Sequence, residues 1–432
     1  MNKKRNMFLL YLIFNMLSIS TIVVGVFSLC SANLNINGSL GYVKSTQANL
    51  VAQISGASSQ SFLYIKDDGT TTTDLSQIGI EKTNVSKQLT FGNLDFTDIN
   101  SPIKFEINLT NNTTDPIVVD IDCESLTLNN TRIAAELDAN YMDIIPQKGG
   151  TCKLYFSLYL IEKKETTNAV SGNISININR ANLQTASEQG FTISDSDTTG
   201  YVNINGIPAS STTNATLIVP SYFYTETKNG VPQFKKVKSI GVKTYDVWDP
   251  DLVPNLSNYT NVIISNGISI ITNGAFYKGN LSSLSLPSSL EEISKGAFHY
   301  GCKFTDLIIP SRVRYIGTKA FADNMSITKL ILGNNVTEIN YSFCSLSITE
   351  LVLPYSLQYI FGHSLDGCGK LKSITFTDTE STWQYANAYS SSWEDYNYDL
   401  TDEYIKSCVL KNIVSTSTSY KKKSYTIRSD SY

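Results

Sequence analysis

From residue 259 to residue 376 the apolar positions recur in a long period. Isoleucines stand at Ile271, Ile293, Ile316, Ile339 and Ile360, spaced by 22, 23, 23 and 21 residues. Four or five residues after each comes Phe276, Phe298, Phe321, Phe343 or Leu365. Between successive units lies a second pattern, LxxLxLPxxL, clearest as LSSLSLPSSL at 281–290. It returns as FTDLIIPSRV (304–313), ITKLILGNNV (327–336), ITELVLPYSL (348–357) and LKSITF (371–376). The last two apolar residues of LxxLxL are two apart, so on a short strand they face one way. This places Leu284 with Leu286, Leu307 with Ile309, Leu330 with Leu332 and Leu351 with Leu353. The later Ile and Phe return the chain along the opposite side of a coil. One coil has too few inward side chains to order itself, so neighbouring coils must shield each other. Pro287, Pro310 and Pro354 end the strands, where no ladder donor is needed. The pattern predicts a solenoid over 259–380.

The outward positions of the same strands form columns. One reads Ile308, Ile331 and Val352; the column two places earlier reads Asp306, Lys329 and Glu350. Two accounts fit. β-branched residues suit strands, and alternating charges can pair across neighbours. Alternatively, an apolar stripe with a charged flank docks a partner, as exposed apolar patches often do.

A period of 22–23 with LxxLxL lies in the leucine-rich-repeat range. The units resemble those of the BspA-like, or Treponema-type, bacterial surface proteins, whose unit reads roughly LxxIxLPxxLxxIGxxAFxxC. Leu284, Leu286, Pro287, Leu290, Ile293, Ala297 and Phe298 match it, as do Ile316-Gly317 and Ala320-Phe321. Gly333 stands where the proline is expected, Ser342 and Ser364 replace the alanine, and Leu365 replaces the phenylalanine. The resemblance covers about 215–380, with LIVP (217–220) and VKSIG (237–241) as a degenerate opening coil over 215–258, split by a hairpin at Asn229-Gly230. It implies a non-catalytic adhesion or binding protein. Its concave face, carrying Ile308, Ile331, Val352, Asp306, Lys329 and Glu350, would meet a surface or extracellular protein of a host or neighbouring cell.

Upstream, the period is two. IKFEINL (103–109), CKLYFSLYL (152–160) and ISINI (174–178) alternate, and PIVVDIDC (116–123) nearly does. With Asn, Thr and Gly clusters between them, these runs predict a β-sandwich over 33–180. Cys123 and Cys152 share parity with inward residues; a disulfide and two buried thiols both fit. Residues 181–214 are rich in Ser, Asp and Thr and read as a linker. Residues 381–432 are Tyr/Ser-rich and read as an extension or cap.

The first 32 residues carry positive charge, then an apolar run over 7–29, then small residues. This is the pattern of an export signal, or of an anchor if uncleaved, and those residues are the one expected contact with membrane. The formal net charge of -4 and the 17% content of charged residues imply no nucleic-acid partner; Lys421 to Lys423 read as a solvated tail.

Seven cysteines without a CxxC, and two histidines, suggest no zinc site and no cofactor. His299 and His363 read as turn residues. Adjacent Glu291 and Glu292 point to opposite sides and cannot share acid–base work. Asp120, Asp122 and Glu124 alternate on one strand face without calcium-loop spacing and read as solvated, as do Asp195 and Asp197. Cys302, Cys344 and Cys368 read as buried thiols. The chain is thus expected to be mainly β, a sandwich followed by a short solenoid. The other readings are a fibre-forming structural protein that polymerises through the sandwich and, more remotely, a wall-active hydrolase.

Overall fold

A computed structural model describes residues 48–55, 62–65, 71–72, 78–80, 85–95, 103–111, 115–122, 133–137, 142–160, 169–241, 256–361, 363–377, 383–386 and 419–422. The described strands before residue 181 are β1 (Ala48–Ser55), β2 (Phe62–Ile65), β3 (Thr71–Thr72), β4 (Ile78–Ile80), β5 (Val85–Asp95), β6 (Ile103–Asn111), β7 (Ile117–Asp122), β8 (Ile133–Leu137), β9 (Met142–Ile145), β10 (Gly150–Leu160) and β11 (Ala169–Arg180). They pair antiparallel into two sheets, ordered β4-β1-β6-β10-β8 and β3-β2-β5-β11-β7-β9. Alternation decides which side chains are covered: Cys152, Leu154, Phe156 and Leu158 are buried along β10, and Val119 and Ile121 along β7. Cys152 carries a free thiol. Its expected partner Cys123 lies outside the described residues, as do Glu124 and the N-terminal segment through residue 47. Among the described residues no helix is long and apolar enough to cross a membrane.

The linker expected over 181–214 is instead part of the folded repeat region. β12 (Thr192–Asp195) and β13 (Tyr201–Gly206) form a hairpin. β14 (Ala215–Val219) is followed by a second hairpin, β15 (Tyr222–Lys228) with β16 (Val231–Ile240). β13 lies parallel to β16. Phe191, Val202, Ile204 and Ile207 are buried in one core with Leu217, Val237 and the solenoid. Few apolar residues suffice because each falls at an inward position. Asn229 (φ 52°) and Gly230 (φ 76°) turn the second hairpin with two consecutive left-handed residues, the twist a two-residue loop requires.

A single 3-10 turn at Leu256–Asn258 leads into the repeats. The strands are β17 (Tyr259–Ile264), β18 (Ile270–Ile271), β19 (Ser283–Ser285), β20 (Glu292–Ile293), β21 (Asp306–Ile308), β22 (Tyr315–Ile316), β23 (Lys329–Ile331), β24 (Glu338–Ile339), β25 (Glu350–Leu353), β26 (Tyr359–Ile360) and β27 (Ser373–Phe376). They alternate between two sides of the coil. On one side run the parallel ladders β14-β17-β19, β21-β23 and β25-β27; on the other run β16-β18-β20-β22 and β24-β26. The register keeps like with like: Ile240, Ile271, Ile293 and Ile316 are successive partners. Ile271, Ile293, Ile316, Ile339 and Ile360 are all buried, as are Leu307, Leu330, Leu332, Leu351 and Leu353. Leu284 and Leu286 are only partly covered and pack against the margin of the core.

The recurring Ala-Phe makes a third side. Phe276, Phe298, Phe321 and Phe343 are fully buried. Their rings stack nearly parallel, with centroids 5.1, 5.1 and 6.0 Å apart and interplanar angles of 5, 7 and 9°. The backbone joins there too. Phe276 N donates to Ala297 O (2.7 Å), Phe298 N to Ala320 O (2.8 Å) and Phe321 N to Ser342 O (3.0 Å). Each coil makes this corner with two left-handed residues four apart. The first are Gly274, Gly296, Lys319, Tyr341 and His363; the second are Lys278, Tyr300, Asp323, Ser345 and Gly367. Glycine accepts that conformation without strain, which accounts for the Gly-Ala-Phe of the early coils.

The departures from the repeat have local causes. Ser342 and Ser364 occupy the small alanine site, and their hydroxyls donate to Ile316 O (3.0 Å) and Ile339 O (2.9 Å) of the preceding coil. A Cβ on Gly333 would stand 2.2 Å from Pro310 O, so no proline fits there. At the far end β28 (Trp383–Ala386) and β29 (Ser419–Lys422) pair, and β29 adds antiparallel to β26. Lys421 and Lys422 therefore belong to a strand rather than to a tail.

Candidate interaction face

The ladders β21-β23 and β25-β27 present their outward columns on one side. Asp306 is the register partner of Lys329 and Ile308 of Ile331; one step on, Glu350 partners Ser373 and Val352 partners Thr375. Within each strand the alternation is sharp: Leu307, Leu330 and Leu351 are buried while their neighbours face out. Ile308 and Ile331 are half-buried, and Val352 is 47% exposed. Asp306, Lys329 and Glu350 are all exposed. No ion pair joins these three charges to each other among the described residues. Asp306 accepts instead from its neighbour Thr305 (3.0 Å). The face is thus an apolar column flanked by solvated charges of alternating sign. Its outer margin is a column of hydroxyls, Ser282, Thr305, Thr328 and Thr349, each exposed.

Among the described residues, both histidines, Glu291, the cysteines of the coils, Asp195 and Asp197 sit in local structural contacts. His299 is buried at the Phe corner against the Tyr277 ring (5.5 Å between centroids), and its Nε2 bonds Asp323 Oδ2 (2.9 Å) in the next coil. His363 Nδ1 bonds Asp366 Oδ2 (2.6 Å). Glu291 is tied to Arg312 of the next coil, whose Nε donates at 2.9 Å. Cys302, Cys344 and Cys368 are buried free thiols. Burial pushes Cys302 and Cys344 up to about 12 and Cys368 to about 11, so none is a nucleophile near neutrality. Asp195 and Asp197 are exposed and hold Lys235 (2.5 Å) and Lys238 (2.7 Å).

One placement differs from the reading of the sequence. Asp120 is only partly open to water. Asn266, from the turn after β17, covers it and donates to its Oδ1 (3.2 Å). The outward parity on β7 is as expected, but that sheet face lies against the repeat region. Asn324 has a role that the sequence reading did not assign. Its side chain donates to Phe298 O (2.8 Å) and Phe321 O (2.9 Å) and accepts from Cys302 N (2.9 Å), closing the corner between two coils. Asn324 stands where the repeat unit AFxxC has its cysteine, and that departure was the signal in the sequence.

The BspA type leucine rich repeat region matches this chain in six copies, over residues 254–343 and 326–432. No curated protein matches it. Solved structures similar to it include a leucine rich repeat protein of T. pallidum, at 17% identity and TM-score 0.34, covering 43% of this chain and 79% of that one. A leucine rich cell surface protein of Faecalibacterium prausnitzii A2-165 gives 18% and 0.33, covering 45% and 54%. A leucine-rich repeat protein of Bacteroides ovatus ATCC 8483 gives 19% and 0.31, covering 43% and 52%. The chain thus spans about half the length of the latter two.

Proposed function

Residues 254–432 of this chain are a BspA-type leucine-rich repeat region, and from that premise we propose that the protein is exported to the cell surface and binds a protein there. The binding face is the outer side of β21, β23, β25 and β27. The partner is a surface or extracellular protein of a host or neighbouring cell, and the contact is non-catalytic. Residues 1–32 direct export or anchor the chain, and the two N-terminal sheets close as a sandwich that carries the solenoid.

One observation carries this reading. Ile308, Ile331 and Val352 stay open to solvent in successive coils although the same strands bury every second residue. Over two rung steps of about 4.8 Å they form a continuous apolar stripe roughly 10 Å long. Alternating flank charges suit selective docking more than long-range attraction.

The test is binding of labelled protein to intact cells, before and after protease shaving of the cells. The paired change Ile308→Glu with Ile331→Glu is expected to lower binding by at least about tenfold, since buried interface anchors carry most of the energy. Its melting temperature should stay within a few degrees, because both side chains already meet water. Undiminished binding by this variant, or binding that survives shaving, rejects the reading.

A further inference from the structure

The sequence contains five Asn-Gly pairs. Each is a latent reactive group. The main-chain nitrogen of the glycine can attack the side-chain carbonyl carbon of the asparagine, because glycine has no Cβ to block the approach. The attack needs a nitrogen not held in a hydrogen bond, a side chain free to turn and a backbone able to open. Asn37-Gly38 lies outside the described residues. The other four pairs differ sharply in surroundings.

Three are held. Asn266 Nδ2 donates to Ile121 O (2.7 Å) and Asp120 Oδ1 (3.2 Å), and its Oδ1 accepts from Ser289 N (3.0 Å) and Ser288 Oγ (3.2 Å). Gly267 N donates to Ser289 Oγ (2.9 Å). Carbonyl, leaving group and nucleophile are all engaged there. Asn273 is half-buried, and Gly274 N donates across the Phe corner to Lys295 O (3.0 Å). Asn205 is half-buried on β13, and Gly206 lies so close to its register partner Thr192 that a Cβ would stand 3.2 Å from it.

Asn229-Gly230 is placed otherwise. It forms the loop between β15 and β16, outside the ladder, and every residue from Thr225 to Val231 is exposed. A Cβ on Gly230 would have nothing within 4 Å. Both residues are left-handed, at φ 52° and 76°, so the tight turn must open before the nitrogen can reach the side chain. Little resists opening. The pairing slips between Tyr224 and Glu226, and beyond that slip no residue of the tip is buried. Segments without buried contacts open at small cost.

We propose that Asn229 is a spontaneous deamidation site, the point at which the folded chain ages, and that the fold protects Asn205, Asn266 and Asn273. Gly230 N bonds to Asn229 Cγ as the Cγ–Nδ2 bond breaks. The side-chain nitrogen leaves as ammonia with the Gly230 N–H proton, and a succinimide ring remains. Water then opens the ring. Cleavage between Cγ and the nitrogen gives aspartate; cleavage between the main-chain carbonyl carbon and the nitrogen gives isoaspartate, with the chain running through Cγ. Either product adds a carboxylate beside Lys228. Isoaspartate also lengthens by one carbon a loop whose turn fits two ordinary residues.

The test keeps the full chain folded at mildly alkaline pH in water enriched in heavy oxygen, then digests it in ordinary water, so that later conversion stays unlabelled. Peptide mapping should find one solvent oxygen at Asn229, entering at least about tenfold faster than at Asn205, Asn266 or Asn273. In guanidinium chloride the four rates should draw together, since each is then an open Asn-Gly. Asn229→Gly keeps a residue that accepts the left-handed turn and should abolish uptake in the peptide holding residues 229–235. The proposal is overturned if Asn229 stays unlabelled in the folded chain over a period that labels the unfolded one, or if any of the other three keeps pace with it. It is equally overturned if the four rates remain as far apart after unfolding, or if the Asn229→Gly peptide takes up as much oxygen.

Discussion

Replacing Phe298 by alanine tests the stacked corner. Phe298 is fully buried, with a parallel ring 5.1 Å away on each side. Emptying a buried phenylalanine site costs about 3–5 kcal/mol. Within that range the cost should lie near the top, since each ring pair contributes about 0.5–1.5 kcal/mol beyond its buried area. Phe343 is equally buried, but its one ring partner is 6.0 Å away and the next coil offers Leu365. Phe343→Ala should therefore cost about 1 kcal/mol less than Phe298→Ala. Because each coil touches only its neighbours, neither loss can be spread over the array. Phe298→Leu, which copies the natural Leu365, should restore about half of the loss. Urea unfolding followed by circular dichroism reads all three. A Phe298→Ala cost below about 1.5 kcal/mol, or a Phe343→Ala cost as large, would refute a corner held by stacked rings.

Restoring the repeat's proline with Gly333→Pro should destabilise by more than about 2 kcal/mol, because the new side chain meets Pro310 backbone at 2.2 Å; a rise in urea midpoint would contradict it. Gly296→Ala should cost about 1 kcal/mol, since φ is 63° there. Tyr300→Gly, at φ 65° with the side chain 56% exposed, should gain up to about 0.5 kcal/mol in the same titration. Iodoacetamide at about pH 8 should leave Cys152, Cys302, Cys344 and Cys368 unmodified in the folded protein and alkylate them in guanidinium chloride, by peptide mass mapping; rapid native labelling of any one would contradict its burial.

The solenoid was legible because its signal repeats. A buried Ile and an apolar residue, four times Phe, four or five positions on are weak cues once and strong cues five times. The corner's left-handed residues were harder to see, since Gly274, Gly296 and Gly367 show the need for positive φ, whereas Lys319, Tyr341 and His363 hide it. Residues 181–214 misled because their strands are short and polar on one side. The parallel partners of β13 on β16 lie 35 to 36 residues further on, and no local pattern encodes that pairing. Asp120 failed differently. Alternation along β7 separates its two faces but does not say which faces water, and Asn266 of another module covers the outward one. The exposed stripe was readable as a column, yet its freedom from cross-strand ion pairs needed coordinates.

The most direct test of the account is proximity between coils on the open face. With Ile308→Cys and Ile331→Cys in one chain, register partners on adjacent parallel rungs, a short thiol-bridging reagent should join the two within a single molecule while the buried native thiols stay unreacted. Peptide mapping that finds a 308–331 bridge supports stacked coils with this stripe outward. Bridges only between molecules, or none at these positions under conditions that label each single variant, would contradict it.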